Sequence, residues 1–196
     1  MYISKLLLNN KNITIRKELS DMYNFHRFIS HGFDGNYEQS NFLYNIGQPK
    51  NIGVEILLYS NINPNWGYIN SEYLLAPPLC KYIDPYFNKN GFYNFQLRSN
   101  PTFKNENNKR VGIYDIEEQE KFLLNKGRKH GFSIVNLNII PEGILKSSVK
   151  NISMYSVLYN GILKVEDPVL FKEAFLNGIG RGKKFGFGML LVSKSV

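Results

Sequence analysis

Apolar and polar positions change period several times along the chain, and each change predicts an element. Residues 2 to 8, Tyr-Ile-Ser-Lys-Leu-Leu-Leu, alternate loosely and predict a first strand, ended by the Asn9-Asn10 turn. Ser20 then stands where a helix cap is needed, and Met22, Phe25 and Ile29 recur at spacings of three and four to about His31. Strands are predicted at residues 41–46 and 54–60, followed by a break at Asn63-Pro64-Asn65-Trp66 and a short extended piece at 68–75. Residues 77–91 are crowded with Pro77, Pro78, Pro85, Asn88, Asn90 and Gly91, and predict a linker.

The second half repeats the order of elements. Residues 92–99 alternate as a strand and 109–114 form another extended segment. Asp115 with Glu118 opens a helix to Lys129, with Ile116, Phe122 and Leu123 as its apolar face. Strands follow at 133–140 and 143–149. Asn160-Gly161 predicts a hairpin turn between 154–159 and 162–165. Asp167-Pro168 caps a helix over 169–177, and the chain closes on a glycine-rich loop and a strand at 189–192. The pattern predicts an α+β protein of two modules: residues 1–76, the linker 77–91, and residues 92–196.

Composition narrows the classes. A chain of 196 residues with 43% hydrophobic and 20% charged residues is that of a globular protein with a real core, and its apolar runs are too short for a membrane span or a signal peptide. No membrane partner and a cytoplasmic location are expected. One cysteine, Cys80, and three scattered histidines predict neither a disulfide nor a metal site, and no cofactor is expected.

Charge distribution says more than net charge. Residues 1–97 carry 8 Lys or Arg against 7 Asp or Glu, whereas residues 98–196 carry 16 against 9. A surplus concentrated in one half is the electrostatic footprint of nucleic-acid binding.

The terminal loop Gly178-Ile179-Gly180-Arg181-Gly182-Lys183-Lys184-Phe185-Gly186-Phe187-Gly188 sets cations among glycines, a composition suited to a polyanion. It is neither of the familiar phosphate loops. A P-loop ending at Gly182-Lys183 needs glycine at Asn177 and a hydroxyl residue at Lys184. A dinucleotide fingerprint starting at Gly178 or Gly180 needs its third glycine at Lys183 or Phe185. Read blandly, the glycines only permit tight packing; the three cations favour the anion-binding reading.

Several landmarks occur in one order: Tyr23-x-x-His26 on the early helix, Pro64-x-Trp66, Leu97-x-x-Asn100-Pro101-Thr102, Lys109-Arg110, Gln119-x-x-Phe122-Leu123, Gly131-Phe132, Gly161-x-Leu163-x-Val165-x-Asp167-Pro168, and the terminal glycine signature. In this order and spacing the chain resembles, over nearly its whole length, the CasE family, the CRISPR RNA-processing endoribonucleases of type I-E systems. The resemblance implies two tandem ferredoxin-like, RNA-recognition-type βαββαβ domains. It implies metal-independent cleavage of precursor CRISPR RNA at the base of the repeat hairpin, leaving a 2′,3′-cyclic phosphate and a 5′-hydroxyl. The implied partners are the repeat RNA hairpin, as precursor and as mature crRNA, and the other subunits of the Cascade complex, with a monomer outside the complex.

By the same resemblance Tyr23 and His26 are the catalytic pair. His26 would act as general base or acid, and Tyr23 would orient the phosphate or the histidine. Arg27 and His31 are candidates to bring positive charge, His31 standing where family members can place a lysine. For the RNA stem the candidates are Lys109, Arg110, Arg128, Lys129, Lys146 and Lys150; for phosphates near the cut they are Gly180, Arg181, Gly182, Lys183 and Lys184. Two other readings stay open from sequence: an RNA-binding scaffold of the same fold that does not cut, and a protein-interaction module whose basic surface is incidental.

Overall fold

The computed structural model describes residues 1–195; residue 196, the end of the expected module 92–196, lies outside the described residues. In chain order the elements are β1 (Tyr2–Asn9), α1 (Ile13–Ser20), α2 (Met22–Ser30), α3 (Tyr37–Ser40), β2 (Leu43–Ile46), β3 (Gly53–Ser60), β4 (Leu74–Tyr82), β5 (Phe92–Ser99), β6 (Thr102–Lys104), β7 (Arg110–Gly112), α4 (Ile116–Lys129), β8 (Phe132–Ser147), β9 (Ile152–Val165), α5 (Pro168–Asn177) and β10 (Leu190–Lys194). They form two compact units. Unit 1 comprises Met1–Asp84 with Lys146–Ile152 and Lys184–Gly186; unit 2 comprises Pro85–Leu145, Ser153–Lys183 and Phe187–Val196.

Unit 1 carries a four-stranded sheet in the order β2-β3-β1-β4. Its first and third strands lie in the middle, which is the split βαβ pattern of ferredoxin-like folds. The second helix of that pattern is reduced here to a 3-10 turn at Ser71–Tyr73. α2 packs on the sheet through Phe25, Phe28 and Ile29, which join Leu6, Leu8, Ile15, Tyr44, Ile56, Leu58 and Trp66 in one core. Met22, the third member of the expected stripe, is only partly buried.

The helix expected to about His31 is α2; α1 before it and the short α3 after it were not expected. Asn12 caps α1 by accepting from Thr14 and Ile15, and Asp21, not Ser20, caps α2 by accepting from Tyr23 and Asn24. Two of the three prolines of the expected linker, Pro77 and Pro78, fall inside β4, so residues 77–82 are strand. β4 is an edge strand, where a missing N–H is tolerated. Its pairing with β1 jumps from Lys5↔Leu79 to Leu7↔Ala76, passing over Pro77 and Pro78.

Unit 2 has the order β10-β5-β9-β8, again with first and third strands central, and both helices of the pattern are full length. Its core includes Phe95, Leu97, Leu123, Tyr159, Leu163 and Phe171. The apolar face expected for α4 is corrected: Gln119, Leu123 and Gly127 are buried, whereas Ile116 is exposed. Gln119 can be buried because its amide donates to the carbonyls of Ile113 and Tyr114. β8 is one strand where two were expected, because Pro141 falls on an edge strand.

Asn160-Gly161 is not a turn. β9 runs through it, with Gln96↔Asn160 and Phe95↔Gly161 paired in the middle of the sheet. Glycine is required there because a Cβ would lie 2.0 Å from the Asn136 carbonyl oxygen. The expected module 92–196 is thus interrupted, since 146–152 and 184–186 cluster with unit 1.

Candidate active site

The site is built in unit 1 around α2. His26 is 8% exposed, stacked on Phe42 with ring centroids 5.4 Å apart, and edge-on to Tyr37 and Phe185. Its Nε2 lies 2.9 Å from the Tyr37 hydroxyl, while Nδ1 is buried without a hydrogen bond of normal geometry. Burial, with the Lys184 charge added, pushes the His26 pKa down to about 4, although an interaction with the Lys184 backbone works the other way. The imidazole is therefore neutral at pH 7, the state that can accept a proton.

Lys184 and Phe185 reach this place because of Tyr44. That tyrosine is fully buried and its hydroxyl donates to the Lys184 carbonyl at 3.1 Å. Gly186, at φ 81°, follows directly, and a Cβ on it would sit 3.0 Å from the Tyr44 ring. Only glycine supplies both the left-handed backbone and the space. The Lys184 ammonium then lies 5.6 Å from the centre of the Tyr37 ring.

Tyr23, one turn before His26, keeps a different neighbour. The Lys150 ammonium is 5.1 Å from its ring centre, a cation–π contact. Unit 1 therefore gathers an aromatic-walled neutral histidine, a second tyrosine, and two lysines drawn from distant sequence. This set can hold a phosphodiester and move a proton beside it.

Arg27 and His31 are not brought to His26. They line a separate groove of about 340 Å³ with Thr14, Glu18, Asn24, Phe28, Tyr68 and Tyr73. Burial raises the Glu18 pKa there, against the lowering charges of Arg27 and His31. Lys146 is exposed in the same return of chain as Lys150.

In unit 2 the expected cations divide. Lys126, Lys129, Arg110 and Lys183 are close enough that, after desolvation, their mutual repulsion lowers the Lys126 pKa; His130 is held down by desolvation and then by Lys126, Lys129 and Lys183. Lys109 is exposed in the turn between β6 and β7, and its N–H donates to Asn105. Arg128 is exposed and bonds Asn125 on its own helix. Gly180, Arg181 and Gly182 precede Lys183 in the loop of unit 2.

Sequence reasoning missed Tyr37, Phe42, Tyr44, Asp21, Lys126 and His130. Asp21 carries a sequence signal, because it is a capping residue type that directly precedes Met22, where α2 begins. Lys126 was findable as one turn from Lys129 and His130 on one helix face. Tyr37 had no local signal.

Acid stability reports on the buried histidine. The unfolded chain takes up a proton at His26 near pH 6.5, but the folded one only near 4, so stability is full above pH 6.5 and declines as pH falls through that window. The expected loss is on the order of 2 kcal/mol, after discounting for partial solvent screening. Urea melts at pH 7 and pH 4.5 check it: His26→Gln flattens the dependence, and an unchanged dependence in that variant contradicts the assignment.

Comparison with known proteins places the chain among relatives. The profile of a family described as CRISPR associated protein matches residues 1–194. The CRISPR-associated endoribonuclease Cse3 of Thermus thermophilus is 24% identical over 212 residues, covering 98% of this chain and all of the relative. The structure of Thermus thermophilus Cse3 bound to an RNA representing a pre-cleavage complex superposes with a TM-score of 0.88 at 24% identity, over 98% of each chain. The CRISPR-associated protein Cas6e of Escherichia coli K-12 superposes at 0.74 with 21% identity over the full length of both chains. At these identities the structural likeness establishes the tandem ferredoxin-like fold.

Proposed function

The chain belongs to the CRISPR-associated protein family matched over residues 1–194, with the CasE order of landmarks along it, and on that premise we propose that it is a CRISPR repeat-specific endoribonuclease. It cleaves precursor CRISPR RNA at the base of the repeat hairpin without a metal ion. The 2′-hydroxyl attacks the adjacent phosphate, giving a 2′,3′-cyclic phosphate and a 5′-hydroxyl. The enzyme acts in the cytoplasm, is a monomer when alone, and stays on the mature crRNA as a Cascade subunit.

The observation that carries this reading is His26: neutral, wedged between Phe42 and Tyr37, with cations held at Tyr23 and Tyr37. Burial is the larger reason that His26 resists a proton and the Lys184 charge the smaller; a phosphodiester held by Lys150 and Lys184 offsets the smaller part, so the bound substrate raises the basicity of its own catalyst. Tyr23 orients the phosphate or the attacking hydroxyl, and positioning supplies much of the remaining acceleration. The scaffold reading is favoured by one fact, the burial of His26 among aromatic rings, since core histidines look the same.

Incubation with the cognate repeat RNA in EDTA separates the two. A single cut with a cyclic-phosphate end supports the nuclease; tight binding with the RNA left whole supports the scaffold.

The cationic group of Arg110, Lys126, Lys129 and Lys183 is proposed to hold the hairpin stem. Replacing Lys126 and Lys129 by Gln is expected to reduce the slope of log Kd against log salt by about 1 to 2. An unchanged slope places the stem elsewhere.

A further inference from the structure

We propose that Asp21 is a positioning residue that sets Lys150 against Tyr23, an inference that rests on the nuclease reading of this site. Asp21 is 7% exposed. Oδ1 accepts from the Tyr23 and Asn24 N–H groups at 2.9 and 3.2 Å, as a helix cap does. The same Oδ1 accepts the Ser147 hydroxyl at 2.9 Å, and Oδ2 accepts the Ser148 N–H at 3.0 Å and its hydroxyl at 3.5 Å. An ordinary cap has no use for these last contacts, which cross more than a hundred residues of sequence.

Ser147 passes the constraint on, because its Oγ accepts the Lys150 N–H at 3.4 Å. One buried carboxylate thereby fixes two backbones: that of Tyr23 from one side and, through Ser147, that of Lys150 from the other. The ammonium–ring contact at 5.1 Å is the result. Desolvation works to raise the Asp21 pKa, but the Ser147 hydroxyl and the N–H groups of Asn24, Tyr23 and Ser148 outweigh it and keep the carboxylate ionised.

The role can be separated from capping. Asp21→Asn keeps an oxygen for the α2 cap and for Ser147, while its amide nitrogen, a donor, cannot accept from Ser148, so the segment that carries Lys150 loses its second anchor and the capping is spared. Single-turnover cleavage by Asp21→Asn is expected to slow about 10- to 100-fold, the scale of a misplaced catalytic group, with hairpin Kd within about 2-fold. On a Lys150→Ala background the same change is expected to cost less than about 2-fold, because the residue it positions is gone. Ser147→Ala should act in the same direction, more weakly, with the same loss of effect beside Lys150→Ala.

A full rate for Asp21→Asn overturns the proposal, and so does a penalty that multiplies with that of Lys150→Ala. If thermal melting shows Asp21→Asn to be poorly folded, the Ser147→Ala and Lys150→Ala cycle decides on the same criterion. A His26→Ala enzyme that still cuts overturns the nuclease reading instead; His26→Ala inactive with Asp21→Asn at full rate removes the role of Asp21 alone.

Discussion

His26→Ala is expected to slow cleavage of the repeat hairpin by about 10² to 10⁴, the range that a positioned acid or base contributes, while leaving hairpin affinity within a few fold. The split follows from where the charges lie. The cations that would meet phosphate belong to Lys150 and Lys184 and to the group around Lys126 in unit 2, and Lys184 is also held by the Tyr44 hydroxyl, so its position does not rest on the imidazole alone. The alanine variant leaves a space beside Phe42, so a modest loss of stability accompanies it. His26→Gln fills most of that space and cannot take the proton, so the two variants should be equally slow though not equally stable. Single-turnover cleavage beside a binding isotherm checks this, and a His26→Gln enzyme of wild-type rate contradicts it.

Gly161→Ala is expected to destabilise unit 2 by about 3 kcal/mol or more, at the upper end of what overpacking costs. An added methyl would lie 2.0 Å from the Asn136 carbonyl oxygen, and the obstacle is backbone of β8, not the flexible end of a side chain. Relief requires one strand to move away from another in the interior of a sheet where Gly161 also pairs with Phe95. If Asn160-Gly161 were the hairpin turn that its sequence suggests, alanine would cost only about 1 to 2 kcal/mol for its left-handed backbone. Urea denaturation distinguishes the cases, and a loss of 1 kcal/mol or less contradicts the strand assignment.

The same dipeptide shows what sequence hides. Asn-Gly is a strong turn signal, yet tertiary pairing overrides it, because the glycine is needed for close approach of a neighbouring strand and not for a reversal. Pro77 and Pro78 misled in the same way: they signal a break only if the strand is central, and β4 is an edge. The helix α2 was legible, because Phe25 and Ile29 carry its period and Tyr23 and His26 share it at a spacing of three. The rest of the site was not. Tyr37, Lys150 and Lys184 come from three separate segments, and charge counting registers a lysine without saying which ring it lies over. Gly186 could be read as a residue that needs freedom, but Tyr44, the reason for it, is 142 positions away in a strand. Residues that act through one helix are visible in sequence, and residues assembled by folding are not.

In the proposed reaction the RNA's own 2′-hydroxyl, activated at His26, breaks the chain. The most direct measurement uses repeat hairpin RNA carrying a single 2′-deoxy nucleotide immediately 5′ of the cut, mixed with wild-type protein in EDTA beside the unmodified hairpin. The modified RNA is expected to bind as tightly as the unmodified one and to stay whole, while the unmodified RNA yields one product ending in a 2′,3′-cyclic phosphate. Cleavage of the deoxy-substituted hairpin at the same bond would contradict that reaction.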